Sequence, residues 1–495
     1  MHSGWIALDI ILARSRRECA PHFHRKLDQG SVRSSNNMDN ANPTRLLIAL
    51  TSDSDRKTMR FITSLVASLS ETQNRTQWQI TILRPPPYNG SALLLPPSVV
   101  SQLQRLNVSF LQPQVHLSQV IPFQEFLFCT HNDSYSIAAQ RNRGLLAVND
   151  LLQITTVDLI AVLDDDLIFQ NALLKRNQHG DLCVSFETTH DYIAGLETIY
   201  ALARTGPVIG GSTGCPPIPG VSAIRCAIED ITNNVNNLSP TELCVAQEAD
   251  YYYDFREHSN FTLPRGAWLS YYYNDELFAP SFSNILLGVT PTRPLIFNGD
   301  RLFLGQEPSI RRGGNTYFAN AQHLLSIPHV TLCVDGLSTR RSDMIVAEIA
   351  KQRGIVYRET YFPLGHLRVA NTVAISRLGM LSSIEAELFG VALHRGIASF
   401  IARGDHMKAW KDIFARRLLQ IMQTRSYIDR ASLPSHIGRE VMELADGLDY
   451  NHIYERVVMR EKQFFQQYVR LVERYSEIDQ YWMTLIEEHK YEVNY

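Results

Sequence analysis

Three consecutive aspartates, Asp164, Asp165 and Asp166, close the apolar run Leu159-Ile160-Ala161-Val162-Leu163. Adjacent like charges repel, and a carboxylate withdrawn from water is costly unless it is paired or bound to a cation. A short apolar run bounded by acids predicts a buried central strand. In open α/β sheets the carboxyl ends of such strands are where ligands bind. Acids placed there can hold a hard divalent cation, and that cation can neutralise a diphosphate. A solvated turn after a strand is the competing role for an aspartate triplet.

The segments around the triplet predict the rest of such a sheet. Regular structure is expected to begin with a strand at Arg45-Leu46-Leu47-Ile48-Ala49-Leu50. Thr51-Ser52-Asp53 then offers caps for a helix whose apolar positions Met59, Ile62, Leu65, Val66 and Leu69 recur at helical spacing. Trp78, Ile80 and Ile82 alternate with polar residues in a strand that stops at Pro85-Pro86-Pro87, and a further strand is expected near Leu106 to Phe110. This β-α-β-β order, continued by a helix around Arg141 and the strand before Asp164, predicts a mainly parallel sheet with helices on its faces. Ser52 and Asp53 would share the sheet edge of the aspartates, as ligand contacts or simply as helix caps.

At 495 residues the chain exceeds what one core usually holds, so two domains or one enlarged domain with an appendage are expected. A net charge of -3 gives no overall electrostatic case for nucleic acid or an anionic membrane. Seven scattered cysteines without a CxxC pair suggest neither a disulfide framework nor a zinc site, which points to a reducing compartment and a cytoplasmic location. The apolar stretch from Trp5 to Ala13 is interrupted by Asp9 and is far short of the ~20 residues of a spanning helix, so no transmembrane segment is expected. Residues 1–43 are expected to be a flexible leader. From about residue 372 helical periodicity replaces strand signals. Ile453, Val457, Phe464, Tyr468, Val472, Tyr475, Ile478 and Trp482 form one stripe of a long helix. A helical appendage over 372–495 is the expectation, packed in cis by default and also a surface for homo-oligomerisation.

Four further segments carry a family resemblance. Arg141-Asn142-Arg143-Gly144, followed by the strand and the aspartates, comes first. Gly313-Gly314-Asn315-Thr316, Arg340-Arg341-Ser342-Asp343 and Phe362-Pro363-Leu364-Gly365-His366 come later, in that order. The set resembles the family-2-like glycosyltransferases with the GT-A fold, over roughly residues 44 to 370. The resemblance implies a Rossmann-like, mainly parallel catalytic domain over 44–371, followed by the helical region. It implies hexosyl transfer from a nucleotide-sugar donor to a carbohydrate or other hydroxyl acceptor, with Mn²⁺ or Mg²⁺ as cofactor.

By that resemblance Asp164 and Asp166 match the outer acids of Asp-x-Asp and would hold the metal, with Asp164 alternatively on the ribose. Asp165 would point back into the fold, since successive strand residues face opposite ways. His366 would complete the metal shell through a neutral imidazole nitrogen, a donor that suits Mn²⁺ better than Mg²⁺. Arg141 would face the nucleotide or its diphosphate, Ser52 and Asp53 the nucleotide. Gly313 and Gly314 would allow close backbone approach to donor or acceptor. Asp343 would be the general base of an inverting displacement. The family's pair of adjacent acids is here Ser342-Asp343, so helix capping competes for Asp343, and Asp335 stands in reserve. The aromatic-rich stretch containing Tyr251 to Tyr253 and Tyr271 to Tyr273 suits sugar stacking or ordinary packing.

Two other functions compete. A haloacid-dehalogenase-type phosphohydrolase would share the acidic strand end, but Asn298-Gly299-Asp300-Arg301 lacks the later acids it needs. A catalytically degenerate fold, acting as a carbohydrate-binding or assembly module, would account for the single acid at Asp343.

Overall fold

The computed structural model describes mainly residues 43–52, 54–71, 78–85, 92–113, 122–129, 136–176, 182–214, 316–360, 362–367, 377–430 and 450–488, with short strands at 244–246, 267–271 and 295–297. Thr44–Tyr495 forms one compact unit. The expected leader, Asp53, Gly313, Gly314 and the tyrosines 251–253, 272 and 273 lie outside the described residues.

The chain is α/β, built on a mainly parallel central sheet. Strand β1 (Thr44–Thr51) lies between β2 (Trp78–Leu83) and β4 (Leu159–Asp164), parallel to both, and β3 (Val108–Leu111) continues the sheet outward from β2. On the other side of β4 come β13 (Thr316–Ala319), β8 (Val208–Ile209) and β16 (Arg358–Glu359). Only β13 runs against the rest. Strands β1 to β3 build outward on one side and β4 joins on the other, so the strand order reverses between β1 and β4. In open α/β sheets ligands bind at such a switch point, beyond the carboxyl ends of the strands.

The expected β-α-β-β order omitted one helix. A parallel partner cannot be reached by a tight turn, and the chain crosses from β2 to β3 through α2 (Pro97–Arg105), which opens on a proline at its first position. Its short amphipathic pattern and the prolines before it hide it in the sequence.

Alternation along β1 sends side chains to two cores. Leu46, Ile48 and Leu50 pack with α1 (Asp55–Glu71) and α5 (Tyr192–Ala203). Leu47 and Ala49 face α4 (Ile137–Ile154) and α7 (Ser342–Gln352), and that second core runs without a break into the C-terminal helices. Those helices are α8 (Arg377–Ile401), α9 (His406–Arg430), α10 (Tyr450–Glu473) and α11 (Tyr475–Glu488); α3 (Gln124–Leu127) and α6 (Ala321–Leu325) are short turns. Among the described residues none of the helices is long and apolar enough to cross a membrane.

The helical region is part of the same core. Phe389 of α8 stacks on Phe464 of α10 with ring centroids 4.0 Å apart, and Trp410 of α9 stacks on Tyr468 at 4.6 Å. Glu385, fully buried on α8, accepts from Arg456 Nε at 2.6 Å and is also paired with Arg460. Trp482 Nε1 donates to the Leu325 carbonyl at 2.8 Å, and Asn149 Nδ2 donates to the Ile486 carbonyl at 2.9 Å. The expected single long helix is divided at Arg474 into α10 and α11. A stripe repeating every seven residues drifts around a straight helix, and the interruption brings Ile478, Trp482 and Ile486 back onto the core.

Trp482 is wholly buried against the sheet domain, so Trp482→Ala is expected to cost about 3–5 kcal/mol of unfolding free energy. Urea denaturation followed by both far-ultraviolet circular dichroism and tryptophan fluorescence checks this. The two signals should fall together at a lower midpoint, because the tail and sheet share one core.

Candidate functional site

The site is assembled at the carboxyl edge of β1 and β4. Thr51 and Asp164 are paired at the ends of these two strands. Asp164 leads into the turn of Asp165 and Asp166, and β5 (Leu167–Ile168) follows at once.

The three aspartates face three different partners. Asp165 points into the fold, where its Oδ2 accepts from Ser52 Oγ at 2.8 Å and its Oδ1 lies 3.9 Å from Lys57 Nζ. The Ser52 hydroxyl is also 2.7 Å from Thr58 Oγ1 at the start of α1, so Ser52 ties the end of β1 to the aspartate turn. Asp164 receives Arg141 Nη2 at 3.3 Å on each of its two oxygens. Asp166 Oδ2 lies 3.1 Å from His366 Nε2.

Backbone pairing explains why His366 meets Asp166 across 200 residues of sequence. Strand β17 (Leu364–His366) is antiparallel to β5, with Gly365 opposite Ile168 and His366 opposite Leu167. The next amide, Leu367 N, donates to the Asp166 carbonyl at 2.9 Å. Gly365 permits this approach. A Cβ there would stand 2.6 Å from the Gln170 carbonyl oxygen and 2.8 Å from the Phe186 ring. Arg60 Nη2 donates to the Leu367 carbonyl at 2.9 Å and braces the same corner.

Arg141 connects this corner to Asp343. It is buried on the first turns of α4, and its Nη1 lies 3.7 Å from Asp343 Oδ1 while Nη2 holds Asp164. Burial raises the Asp164 pKa above the ordinary aspartate range; Arg141 opposes that shift, and the nearby charges of Asp166 and Asp343 add to it. The neighbouring Asn142 is a framework residue. Its Nδ2 donates to the Leu127 and His329 carbonyls at 2.8 and 2.7 Å, and its Oδ1 accepts from His329 N at 2.8 Å. His329 Nδ1 in turn lies 3.2 Å from Ser342 Oγ at the start of α7. Asn142 therefore needs no ligand to explain its burial, whereas Arg141 faces the site.

The capping role weighed for Ser342 and Asp343 is not what these side chains perform. The residue preceding α7 is Arg341, in the left-handed conformation at φ 73°, and no side chain caps the helix. Asp343 sits in the first turn, where the helix dipole favours a carboxylate, and turns toward Arg141. Helix α8 fixes this start of α7 from behind. Arg340 N donates to the Ala386 carbonyl at 3.3 Å, Arg341 is paired with Glu387, and a Cβ on Gly390 would stand 2.6 Å from the Arg340 carbonyl oxygen. Burial alone would raise the Glu387 pKa, but Arg341, Arg340 and Arg417 hold it below the usual glutamate range. Asp335 stands apart from this arrangement, at the exposed Asp335-Gly336 turn between β14 (Cys333–Val334) and β15 (Leu337–Ser338). Both turn residues have positive φ, as a two-residue hairpin loop of that kind requires.

The sequence reading passed over several residues near the site. Arg84 is fully buried at the end of β2 and donates to Asp55 Oδ1 at 2.6 Å and Gln112 Oε1 at 3.3 Å. His329, Tyr317 and Tyr357 border a cavity beside Arg141 and Asp343. Arg84 could have been noticed as a charge closing an apolar strand. The other three belong to no local pattern and meet only through the fold.

Among the described residues no group of three or more His, Cys, Asp or Glu side chains converges as a closed metal shell. Asp166 and His366 present two adjacent donors. Such a pair fits a hard cation that keeps waters and takes its remaining ligands from phosphate oxygens. No protein-family model matches the chain, and no curated protein shows significant similarity to it.

The buried histidines have a consequence for stability. Burial, then the Arg141 charge, holds the His329 pKa well below 6.5, and burial lowers His190 to about 4. As pH falls below about 6.5 the unfolded chain takes up protons that these folded histidines refuse, so their contribution to stability is lost toward acid. Asp150 acts in the opposite sense. Burial raises its pKa to about 7, so the folded state gains protons there first. The expected result is that His329→Asn flattens the acid loss of stability between pH 6.5 and 5 by up to about 1.4 kcal/mol per pH unit. Urea unfolding of both proteins across that range checks it.

Proposed function

We propose that the protein is a metal-dependent glycosyltransferase of GT-A type, moving a sugar from a nucleotide-diphosphate donor to an acceptor hydroxyl. The observation that carries this reading is the convergence of Arg141, Asp164, Asp166, His366 and Asp343, from four separate elements, at the switch point of a mainly parallel sheet. A nucleotide diphosphate and a hydroxyl acceptor are the substrates such a set of charges can serve.

In this reading Arg141 carries the charge balance. Its guanidinium can exchange a carboxylate for a phosphate oxygen with similar fork geometry. Donor binding would then release Asp164 for the ribose or the metal. A divalent cation, when bound, supplies neutralisation of the charge that develops on the leaving diphosphate. Asp166 and His366 would hold it. Asp343 would take the proton of the acceptor hydroxyl as its oxygen attacks the anomeric carbon and the bond to the diphosphate breaks. A single displacement of this kind inverts the anomeric centre.

Two substitutions test the roles. Asp343→Asn is nearly isosteric and leaves Arg141 its Asp164 partner, so the fold and donor affinity should persist while transfer falls by about 10²- to 10⁴-fold. Turnover near that of the natural protein would remove Asp343 from the mechanism. For the metal, titration calorimetry of a nucleotide diphosphate should show binding that requires Mn²⁺ or Mg²⁺ and that loses this requirement in Asp166→Asn. Undiminished affinity of the natural protein in EDTA would contradict the metal role of Asp166 and His366.

A further inference from the structure

Beside Asp343 a cavity runs inward between the sheet and the two helices that carry the site. Its floor is β1, β4 and β13, one wall is α4 and the other is α7. Three features mark it as more than loose packing. First, Gly144 of α4 faces it, and a Cβ built on that glycine meets no atom within 4 Å. A glycine inside a helix is less stable than an alanine. An alanine here would gain that stability without touching anything, so packing does not call for the glycine. Second, the cavity leaves about 50 Å³ for the centres of water-sized groups. At roughly 10–15 Å³ per water centre this is room for about three to five waters. Third, His323 Nδ1 is buried at this cavity and has no hydrogen-bond partner among the described residues.

The walls select the chemistry. Val162, Leu324, Ile327, Val346 and Ile355 supply apolar surface. The hydroxyls of Tyr317 and Tyr357 are engaged with each other, Gln140 with the Pro85 carbonyl and His329 with Ser342, so a guest finds polar groups chiefly at Thr51, Arg141, His323 and Asp343. A sugar ring would bring several hydroxyls, and each one left unpaired carries a desolvation cost. A ring with one hydroxyl brings no such cost. On α7, Asp343, Val346 and Ala350 lie at positions i, i+3 and i+7 and so share one face, the carboxylate at one end of an apolar track.

We propose that this cavity binds a single apolar ring bearing one hydroxyl, a phenol- or cyclohexanol-like group, with its oxygen at Asp343 and its ring against Val346 and Ala350. Resting on the transferase reading above, this group is the acceptor end that receives the sugar, and the acceptor is an apolar alcohol rather than a carbohydrate.

The test measures binding without donor or metal. Phenol, cyclohexanol and glucose are titrated into the natural protein and followed by protein-observed NMR. Phenol or cyclohexanol should bind saturably and glucose should not. Gly144→Val, which fills the space from α4, should weaken that binding at least 10-fold while leaving the melting temperature no lower. Val346→Phe fills it from the opposite wall and serves the same purpose if the first variant does not fold. Absence of saturable binding of either alcohol to the natural protein overturns the proposal. Equal binding by the natural protein and the filled variants also overturns it. Binding that filling abolishes, in a protein that releases no nucleotide diphosphate from any sugar donor, keeps the pocket and removes the acceptor role together with the transferase reading.

Discussion

One buried guanidinium holds the site together. Arg141 has little exposure, and a cation in that position is stable only where carboxylates compensate it. Asp164 arrives from the end of β4 and Asp343 from the first turn of α7, so a single side chain fixes the spacing of two elements 179 residues apart in the chain. Asn142, the next residue, pins the segment around His329 to the same helix, and His329 touches Ser342. The first turns of α4 therefore set the positions of both the aspartate corner and the start of α7. With Arg141 removed, Asp164 and Asp343 would lose the cation that they share.

The helical region bears on the site through α8. Gly390 lies against the Arg340 backbone, Ala386 accepts its amide proton, and Glu387 holds Arg341. Arg341 has positive φ, a conformation that costs free energy for a residue with a side chain and persists only where neighbours impose it. Here the imposing neighbours belong to the C-terminal helices. Those helices are anchored in turn by the Phe389 and Phe464 stack and by the buried Glu385 with its two arginines. Sheet, site and tail thus form a continuous series of contacts.

The sheet was legible in the sequence where one strand face alternates or an apolar run ends in charge. Strands β1, β2 and β4 and helices α1 and α5 announce themselves in this way. Helix α2 does not, because its amphipathic pattern spans only nine residues and opens on a proline, and only the need for a crossover between parallel strands requires it. The aspartate triplet was visible as a corner, but the division of labour within it was not. That Asp165 turns to Ser52 while Asp164 turns to Arg141 depends on the pleat and on a helical residue 23 positions before Asp164. His366 could be nominated from its motif, yet its contact with Asp166 is a property of the β17 and β5 register. Tyr317, Tyr357 and His323 carry no local signal because their significance lies in a cavity formed by distant elements.

In the proposed transferase, the charges gathered around Arg141 would act on the diphosphate of a sugar donor. Incubation of the protein with a panel of nucleotide-diphosphate sugars and Mn²⁺, followed by ³¹P NMR, tests it most directly, since water can replace the missing acceptor slowly. The account predicts that free nucleotide diphosphate accumulates from at least one donor and that Arg141→Met abolishes this release. A protein that binds none of these donors and releases no nucleotide diphosphate from any of them would contradict it.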